Sequence, residues 1–204
     1  MLRIIDYGSG NLRSVQKAVE QQGVAAEITA DPNLVAASKR LVLPGVGAFA
    51  DAMRALSERG LVEPIRQHLA ADRPFLGICM GLQLLFETGW EGGRHDGLAV
   101  LAGDVARFEL PVDYKVPHMG WNEVRWRADT RLAAAFPGER PPFFYFVHSY
   151  HVRPADSDVV VAETDYGQPF CSAVQRGRLL ATQFHPEKSQ ACGMRLLRYF
   201  LNEV

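Results

Sequence analysis

Short apolar runs alternate with amphipathic segments through the first half of the chain. Each run is bounded by Gly, Pro or polar residues and predicts a short buried strand. These strands are predicted at residues 2–7, 25–29, 40–43 and 74–78. The segments between them repeat apolar residues at helical spacing, which predicts helices at residues 11–22, 48–59 and 61–71 and another directly after residue 78. Strands that are apolar on both faces and alternate with helices indicate a mostly parallel sheet covered on both sides.

The second half of the chain has a different pattern. Turn residues separate its strand-like stretches, which indicates an antiparallel or mixed region attached to the parallel core. These stretches lie at residues 98–109, 116–126, 143–153, 158–163, 170–175 and 178–184, before a last helix at residues 190–201. The expected fold is an α/β three-layer sandwich in which helices flank a central, mostly parallel sheet. Because no linker interrupts the pattern, we expect residues 1–204 to form a single domain.

The composition is that of an ordinary globular protein and narrows the class of function. Hydrophobic residues make up 48% of the 204 residues and charged residues 22%, and the formal net charge is −1. A nearly neutral chain gives no electrostatic basis for binding nucleic acid or a membrane. No apolar run approaches the length of a membrane span. We therefore expect the function to reside in local sites.

Cysteine usage and the N-terminus indicate a reducing compartment. Cys79, Cys171 and Cys192 are odd in number, widely spaced and form no CxxC pair. This pattern argues against a disulfide framework and against a structural zinc site. The N-terminus turns polar after five residues and so has no signal-peptide core. We expect a cytoplasmic protein without a metal or cofactor.

The strongest local signal is Gly77-Ile78-Cys79-Met80-Gly81, between a predicted strand and a predicted helix. A G-x-C-x-G segment at such a junction is the thiol form of the nucleophile elbow. The tight turn requires small residues on either side of the nucleophile, here Gly77 and Gly81, and the start of a helix favours the reactive thiolate. A free cysteine is more often a small buried hydrophobic residue. The paired glycines favour the nucleophile at Cys79, and the other two cysteines lack this context.

A candidate base and its orienting carboxylate follow a later apolar strand. His185 and Glu187 flank Pro186. In an extended segment, residues two apart point the same way, and proline stiffens the spacer. Glu187 can then fix the tautomer of His185 and stabilise its protonated form. The tripeptide alone is a weak signal, because a surface histidine near a glutamate is common.

The loop after the third strand can supply an oxyanion hole. Gly45 and Gly47 flank Val46 and allow backbone N–H groups to point into a cleft at the carboxyl edge of the sheet. Met80 N–H would be one donor to a developing oxyanion, and Val46 or Gly47 the other. The alternative is a plain strand-to-helix turn. Gln83, one helical turn after the nucleophile, could bind a small polar substrate or be an ordinary polar helix position.

Together these motifs resemble those of a known enzyme family. GICMGLQLLFE and ATQFHPEKS resemble segments of the class I (triad) glutamine amidotransferases. IIDYGSGNLRSV, LPGVGAF, VPHMGWNEV and FYFVHSYHV are similar to segments of the glutaminase subunits of imidazole glycerol phosphate synthase, and the resemblance spans nearly the whole chain. It implies the amidotransferase fold and hydrolysis of glutamine to glutamate and ammonia. It also implies Cys79 as nucleophile, His185 as general base and acid, and Glu187 as the residue that orients it.

The resemblance also implies a binding site and a partner. Glutamine would be held by Gly47, Gln83 and the backbone of His148, Ser149 and Tyr150. Ammonia would pass to a cyclase subunit, a (β/α)8 barrel that forms a heterodimer with this chain. There it would join a phosphoribulosyl formimino-AICAR nucleotide to give imidazole glycerol phosphate and AICAR in histidine biosynthesis. The oxyanion loop would be misoriented until the partner is ligated. Residues implied at or near the interface are Asn11, Met119, Trp121 and Lys188.

Other interpretations stay open. The same chemistry could serve another amidotransferase, a free-standing glutaminase or a γ-glutamyl hydrolase, although the GSGN and PHMGWN segments argue against this. A catalytically silent scaffold that only regulates the barrel is disfavoured by the intact triad residues. At the implied interface, Asn11 could be only a helix cap, Trp121 only a core residue and Lys188 only a surface lysine.

Overall fold

The computed structural model of the chain describes residues 1–138 and 140–204. Its strands are β1 (Leu2–Ile5), β2 (Ala26–Thr29), β3 (Arg40–Gly45), β4 (Phe75–Cys79), β5 (Phe86–Gly89), β6 (His95–Asp96), β7 (Leu101–Arg107), β8 (His118–Glu123), β9 (Arg125–Trp126), β10 (Phe143–His148), β11 (Tyr150–Pro154), β12 (Val160–Asp165), β13 (Pro169–Arg176) and β14 (Leu179–Thr182). Its helices are α1 (Leu12–Glu20), α2 (Pro32–Ala36), α3 (Phe49–Glu58), α4 (Val62–Ala70), α5 (Met80–Gln83), α6 (Arg131–Ala134) and α7 (Gln190–Glu203). Short 3-10 turns cover Ser157–Val159 and Pro186–Lys188.

A large sheet forms the middle layer. Within the described residues its strands follow the order β2-β1-β3-β4-β14-β13-β11-β7-β5-β6, and β12 pairs with β13 and β9 beside this path. The strands β2, β1, β3, β4 and β14 are parallel. The pairings β14–β13, β13–β11 and β11–β7 are antiparallel. The predicted α/β sandwich, with a mixed region attached to a parallel core, is confirmed.

Alternate residues of the parallel strands supply a hydrophobic core on each face of the sheet. Ile4 and Val42 pack in the core that includes α1 and α7. Leu41 and Phe75 pack in the core that includes α2, α3 and α4. Burying one such side chain stabilises the fold by about 1.5–3 kcal/mol. Because both faces are apolar, helices cover both faces.

Strand β3 runs farther than predicted. The sequence pattern ends this strand before Pro44, but β3 continues to Gly45. Leu41 N–H donates to the Pro74 carbonyl on the β4 side. Because successive backbone N–H groups of a strand point to opposite neighbours, the backbone nitrogen of Pro44 faces β1. Pairing with β1 ends at Val42, and the proline therefore interrupts no ladder hydrogen bond.

Several short elements escape the sequence pattern. Helices α2 and α6 and strands β5 and β6 were not predicted, and the predicted strand at 116–126 is divided into β8 and β9. Helix α2 begins at Pro32, and Asp31 caps it by accepting a hydrogen bond from the Asn33 N–H. That start signal is local but lacks the apolar period on which the prediction depends.

The predicted strand at 143–153 is in fact two strands that belong to different sheets. β10 pairs antiparallel with β8, whereas β11 pairs with β7 and β13 in the central sheet. Ser149 lies between them. We refer to the β8–β10 pair as the ribbon. The change of sheet at Ser149 turns the chain toward the carboxyl edge of the parallel strands.

The ribbon has two different faces because side chains alternate along each strand. On its outer face, Met119, Trp121 and Phe143 are 61%, 46% and 48% exposed. On its inner face, His118 is buried and Asn122 is half-buried. The inner face also carries the fully buried rings of Phe144 and Phe146, so the ribbon is apolar on both faces and its outer apolar side chains are left exposed.

Candidate active site

The tight strand-to-helix turn predicted at Cys79 is present. β4 ends at Cys79, whose φ of 55° and ψ of −103° are unusual for a residue other than glycine. A Cβ on Gly77 would lie 2.7 Å from the carbonyl oxygen of Gly81. A Cβ on Gly81 would overlap the carbonyl oxygen of Leu43. Both glycines are therefore required by the close approach of β4, α5 and β3.

The surroundings of the Cys79 sulfur differ from those predicted. Helix α5 is only four residues long, so it supplies little of the dipole that a longer helix would provide. The sulfur lies 3.9 Å from the Val147 carbonyl oxygen and 3.7 Å from Gln183 Nε2. Local polar contacts, rather than a long helix, surround the thiol.

His185 and Glu187 form a buried pair. His185 Nδ1 lies 2.8 Å from Glu187 Oε1, and each side chain is only 3% exposed. The contact forms across the 3-10 turn that begins at Pro186, not along the extended segment predicted, because β14 has already ended at Thr182. His185 Nε2 is buried without a hydrogen-bond partner among the residues that the structure describes. That nitrogen is left to exchange a proton with a reacting group.

The environment of His185 favours its protonated form. Burial alone would lower its pKa, but the nearby Cys79 sulfur and then the hydrogen-bonded Glu187 carboxylate raise the pKa of His185 to about 10. The imidazole is thus protonated at neutral pH in the resting site. An imidazolium beside a cysteine stabilises the thiolate, which is the nucleophilic form.

A cleft of ≈ 260 Å³ opens at Cys79. It is lined by Val46, Gly47, Cys79, Met80, Gln83, Glu91, Pro117, Val147, His148, Ser149 and Tyr150. The structure therefore brings together every residue predicted for the oxyanion hole and for glutamine binding. A larger open depression of ≈ 840 Å³ lies near Met1 and Arg40, at the opposite end of the parallel strands, and is remote from this chemistry.

The predicted oxyanion loop is held by a hydroxyl group. Ser9 Oγ donates to the Val46 carbonyl oxygen at 2.7 Å. Gly47 has a φ of 98°, which favours glycine. Fixing the Val46 carbonyl also fixes the orientation of the Gly47 N–H, because both belong to one planar peptide group. The roles of Val46, Gly47 and Met80 as oxyanion residues stay predictions.

Gln83 lines the cleft and is hydrogen-bonded to Gln183. Gln83 Nε2 donates to the Tyr150 carbonyl at 3.0 Å and to Gln183 Oε1 at 3.2 Å. Both glutamines are buried. Gln183 is not among the predicted site residues, although a glutamine inside an apolar strand-like segment indicates a buried amide that needs hydrogen-bond partners.

Glu91 is a second residue that sequence reasoning missed. Its Oε2 accepts a hydrogen bond from the Phe49 N–H at the start of α3, at 2.8 Å. Ala48, the residue before that helix, has no side-chain cap, so Glu91 takes over this role from a distant loop. Glu91 is the acidic member of the cleft lining in the described part of the chain.

The residues implied at a partner interface lie on the surface or beside it. Asn11 is exposed and caps α1 through its side chain. Met119 and Trp121 are exposed on the ribbon, so the interpretation of Trp121 as a core residue is wrong. The Lys188 ammonium lies 5.9 Å from the centre of the Tyr145 ring, within cation–π range. A role for these residues in partner binding stays a prediction.

Residues 1–138 and 140–204 contain no group of three His, Cys, Asp or Glu side chains placed to hold a metal ion. In that part of the chain, no helix has the length and apolar character needed to cross a membrane. Cys79, Cys171 and Cys192 are free thiols.

Comparison with known proteins agrees with this geometry. The class I glutamine amidotransferase family matches residues 3–204, and the chain belongs to this family. The imidazole glycerol phosphate synthase subunit HisH of Rhodopirellula baltica is 59% identical over 98% of this chain and 96% of that protein. The HisH subunit of Syntrophotalea carbinolica is 53% identical over 98% of each chain. The resemblance inferred from the sequence motifs is confirmed.

Solved structures share the fold at low sequence identity. A glutamine amidotransferase crystal structure aligns with a TM-score of 0.74 and 21% identity, covering 98% of this chain and 96% of that one. The PurLQS structure from Thermotoga maritima aligns with a TM-score of 0.76 and 17% identity, covering 99% and 97%. At such identities the likeness concerns the fold alone.

Proposed function

We propose that this chain is the glutaminase subunit of an imidazole glycerol phosphate synthase. It hydrolyses glutamine and passes the ammonia to a cyclase subunit for histidine biosynthesis. The observation that carries this proposal is the buried His185–Glu187 pair close to Cys79, which itself lines the cleft, in a chain 59% identical to such a subunit. The continuous sheet between two cores supports a single domain over residues 1–204, and free thiols suit the cytoplasm.

The first half of the reaction forms a thioester. The Cys79 thiolate, its proton held by His185, attacks the side-chain carbonyl carbon of glutamine, and the C=O electron pair moves to oxygen. Backbone N–H groups of Met80 and of Val46 or Gly47 donate to this oxyanion. When it collapses, the C–N bond breaks and His185 gives its proton to the leaving nitrogen. Ammonia departs and the γ-glutamyl thioester remains.

The second half returns the enzyme to its starting state. Neutral His185 takes a proton from water, and the resulting hydroxide attacks the thioester carbonyl. The C–S bond breaks, glutamate leaves and the Cys79 thiolate again faces the imidazolium. Glu187 orients the ring in both halves and stabilises its positive charge.

Recognition of glutamine uses the two ends of the cleft. Ser149, Tyr150 and Gln83 line the cleft together with Cys79. Glu91 faces the same cleft with a carboxylate that attracts the α-ammonium group of glutamine. An amino acid extended from Glu91 toward Cys79 presents its side-chain amide to the sulfur.

The outer face of the ribbon is the proposed cyclase-binding surface. Met119, Trp121 and Phe143 expose large apolar side chains there, and Lys188 lies nearby over Tyr145. Exposed aromatic residues on a rigid strand pair are typical of interaction surfaces. This face supports a heterodimer over a free-standing glutaminase. The intact triad, in turn, argues against a catalytically silent scaffold.

The test is glutamate release by the purified chain, alone and with the cyclase subunit and its nucleotide ligand. We expect strong stimulation by the ligated complex and its loss in Cys79→Ala. Cys192→Ala is the matched control, because this thiol lies on α7 away from the cleft. Full activity of Cys79→Ala would refute the chemistry. High activity that the cyclase leaves unchanged would refute the partner.

A further inference from the structure

A chain of hydrogen bonds leads from the inner face of the ribbon to the cleft. Asn122 Nδ2 lies 3.2 Å from His118 Nε2, and His118 Nδ1 lies 3.0 Å from His148 Nε2. His148 Nδ1 lies 2.8 Å from the Tyr150 carbonyl oxygen. The same oxygen accepts the hydrogen bond from Gln83. We call the Asn122–His118–His148 series the relay.

The direction of every hydrogen bond in the relay follows from its two ends. Asn122 Oδ1 accepts from the Glu123 N–H and Asn122 Nδ2 donates to the Asp165 carbonyl, which fixes the orientation of the amide. Nδ2 then donates its second hydrogen to His118 Nε2. His118 must carry its proton on Nδ1 and donate to His148, which in turn donates from Nδ1 to a carbonyl.

Packing keeps both imidazoles neutral, as the relay requires. His118 lies between Phe146 and Tyr166, with ring centroids 4.8 Å and 4.0 Å away. Burial lowers the pKa of His118 to about 4 and that of His148 to about 3. A protonated ring would turn an acceptor nitrogen into a donor and break the series.

The relay braces the segment that lines the cleft. The His148 ring is hydrogen-bonded to the Tyr150 carbonyl, two residues along the chain, and so closes the turn at Ser149. The Ser149 carbonyl accepts a hydrogen bond from the Phe108 N–H, which holds the turn from the other side. The chain passes from the ribbon to the central sheet at this turn, and the geometry of the turn therefore depends on these contacts.

We propose that His118 and Asn122 are positioning residues for glutamine binding, which act through His148 on the backbone of Ser149 and Tyr150. This inference rests on the proposed glutaminase function. Neither side chain lines the cleft, and neither takes part in the chemistry. Their effect is to hold the binding backbone in the geometry that accepts an amino acid.

The kinetic test compares His118→Phe with His118→Asn in the full chain, alone and with the cyclase. Phenylalanine keeps a ring between Phe146 and Tyr166 but removes the donor, which leaves His148 Nε2 buried and unsatisfied. We expect the KM for glutamine to rise at least about tenfold, with kcat changed less than about threefold. Asparagine, which can place an N–H near the former Nδ1, should recover much of the loss.

His68→Phe is the matched control. His68 is also buried and also bonded to a backbone carbonyl, that of Pro74, but it lies on α4 away from the cleft. We expect its KM to stay at the wild-type value. An unchanged KM in His118→Phe, or an equal rise in both variants, would overturn the positioning role while leaving the glutaminase intact.

The second measurement does not depend on activity or on a core substitution. Long-range ¹⁵N–¹H correlation spectra of the wild-type chain should show His118 and His148 neutral and protonated on Nδ1. Asn122→Ala, at a half-buried position, should shift His118 toward a mixture of tautomers. An Nε2–H tautomer of either ring in the wild-type chain would overturn the inference. Failure of the chain to release glutamate would instead overturn the proposed function and leave these spectra unaffected.

Discussion

Replacing Glu187 with glutamine removes one of the two charges that raise the pKa of His185, the other being that of Cys79. The variant keeps the volume of the side chain and an oxygen within reach of Nδ1, but the buried ring loses its counter-charge. Removing one partner of a buried pair costs about 3 kcal/mol of unfolding free energy. Loss of the orienting carboxylate of a hydrolytic triad lowers kcat on the order of 10³–10⁴-fold. We therefore expect Glu187→Gln to fold, with reduced stability, and to be nearly inactive.

The pH dependence distinguishes the loss of the Glu187 charge from a general loss of structure. The pKa of His185 is raised above its ordinary value, to about 10. The contribution of protonated His185 to the unfolding free energy is therefore fully present below about pH 6.5 and is lost as the pH rises through about 10. In Glu187→Gln that pKa falls, because burial is then opposed by Cys79 alone. The alkaline limb of kcat/KM should move to lower pH, and the stability difference from wild type should shrink toward pH 10.

The assay is glutamate release across the pH range, paired with chemical denaturation at each pH. Glu58→Gln is the control, since it removes the same charge from an exposed position on α3. It should change neither the alkaline limb nor kcat. A Glu187→Gln variant with near-normal kcat and an unmoved alkaline limb would refute the role assigned to the buried pair.

Three further predictions concern other parts of the molecule. Gly81→Ala places a methyl group against the Leu43 carbonyl. We expect thermal unfolding to show a loss of about 1–3 kcal/mol in unfolding free energy, and kinetics to show a loss on the order of 10²-fold in kcat. Normal kinetics would contradict the packing argument. Burial raises the pKa of Cys171 to about 12, so iodoacetamide should not label it at neutral pH until the chain unfolds, and labelling in the native state would show the thiol to be accessible. Trp121→Ala should weaken cyclase binding at least about tenfold in titration calorimetry without lowering glutamate release by the isolated chain, and unchanged affinity would remove this residue from the interface.

The parts of the site that were predictable are those set by local chemistry. The turn at Cys79 can be read from its two glycines, because only glycine fits where β4, α5 and β3 meet. His185 and Glu187 are close in sequence and stay close in space, although a 3-10 turn joins them instead of a strand. The parallel half of the sheet follows from its apolar runs.

The parts that were missed depend on contacts between distant segments. Glu91 reaches the start of α3 across 42 positions, and Gln183 reaches Gln83 across 100. The sequence pattern ends β3 too early, because Pro44 is tolerated where β1 has stopped pairing, and that is a property of the sheet and not of β3 alone. The break at Ser149 likewise depends on which partners β10 and β11 find.

The alternation of the ribbon limits how its length can vary. One residue inserted between His118 and Trp121 would carry the tryptophan inward and turn Asn122 out of reach of its imidazole. Two inserted residues would restore the faces but shift Asn122 two positions from its present contact. An insertion within these strands therefore changes both the surface that meets a partner and the groups that support the binding turn. Insertions and tags are better placed in the connecting segments, which belong to neither face of the ribbon.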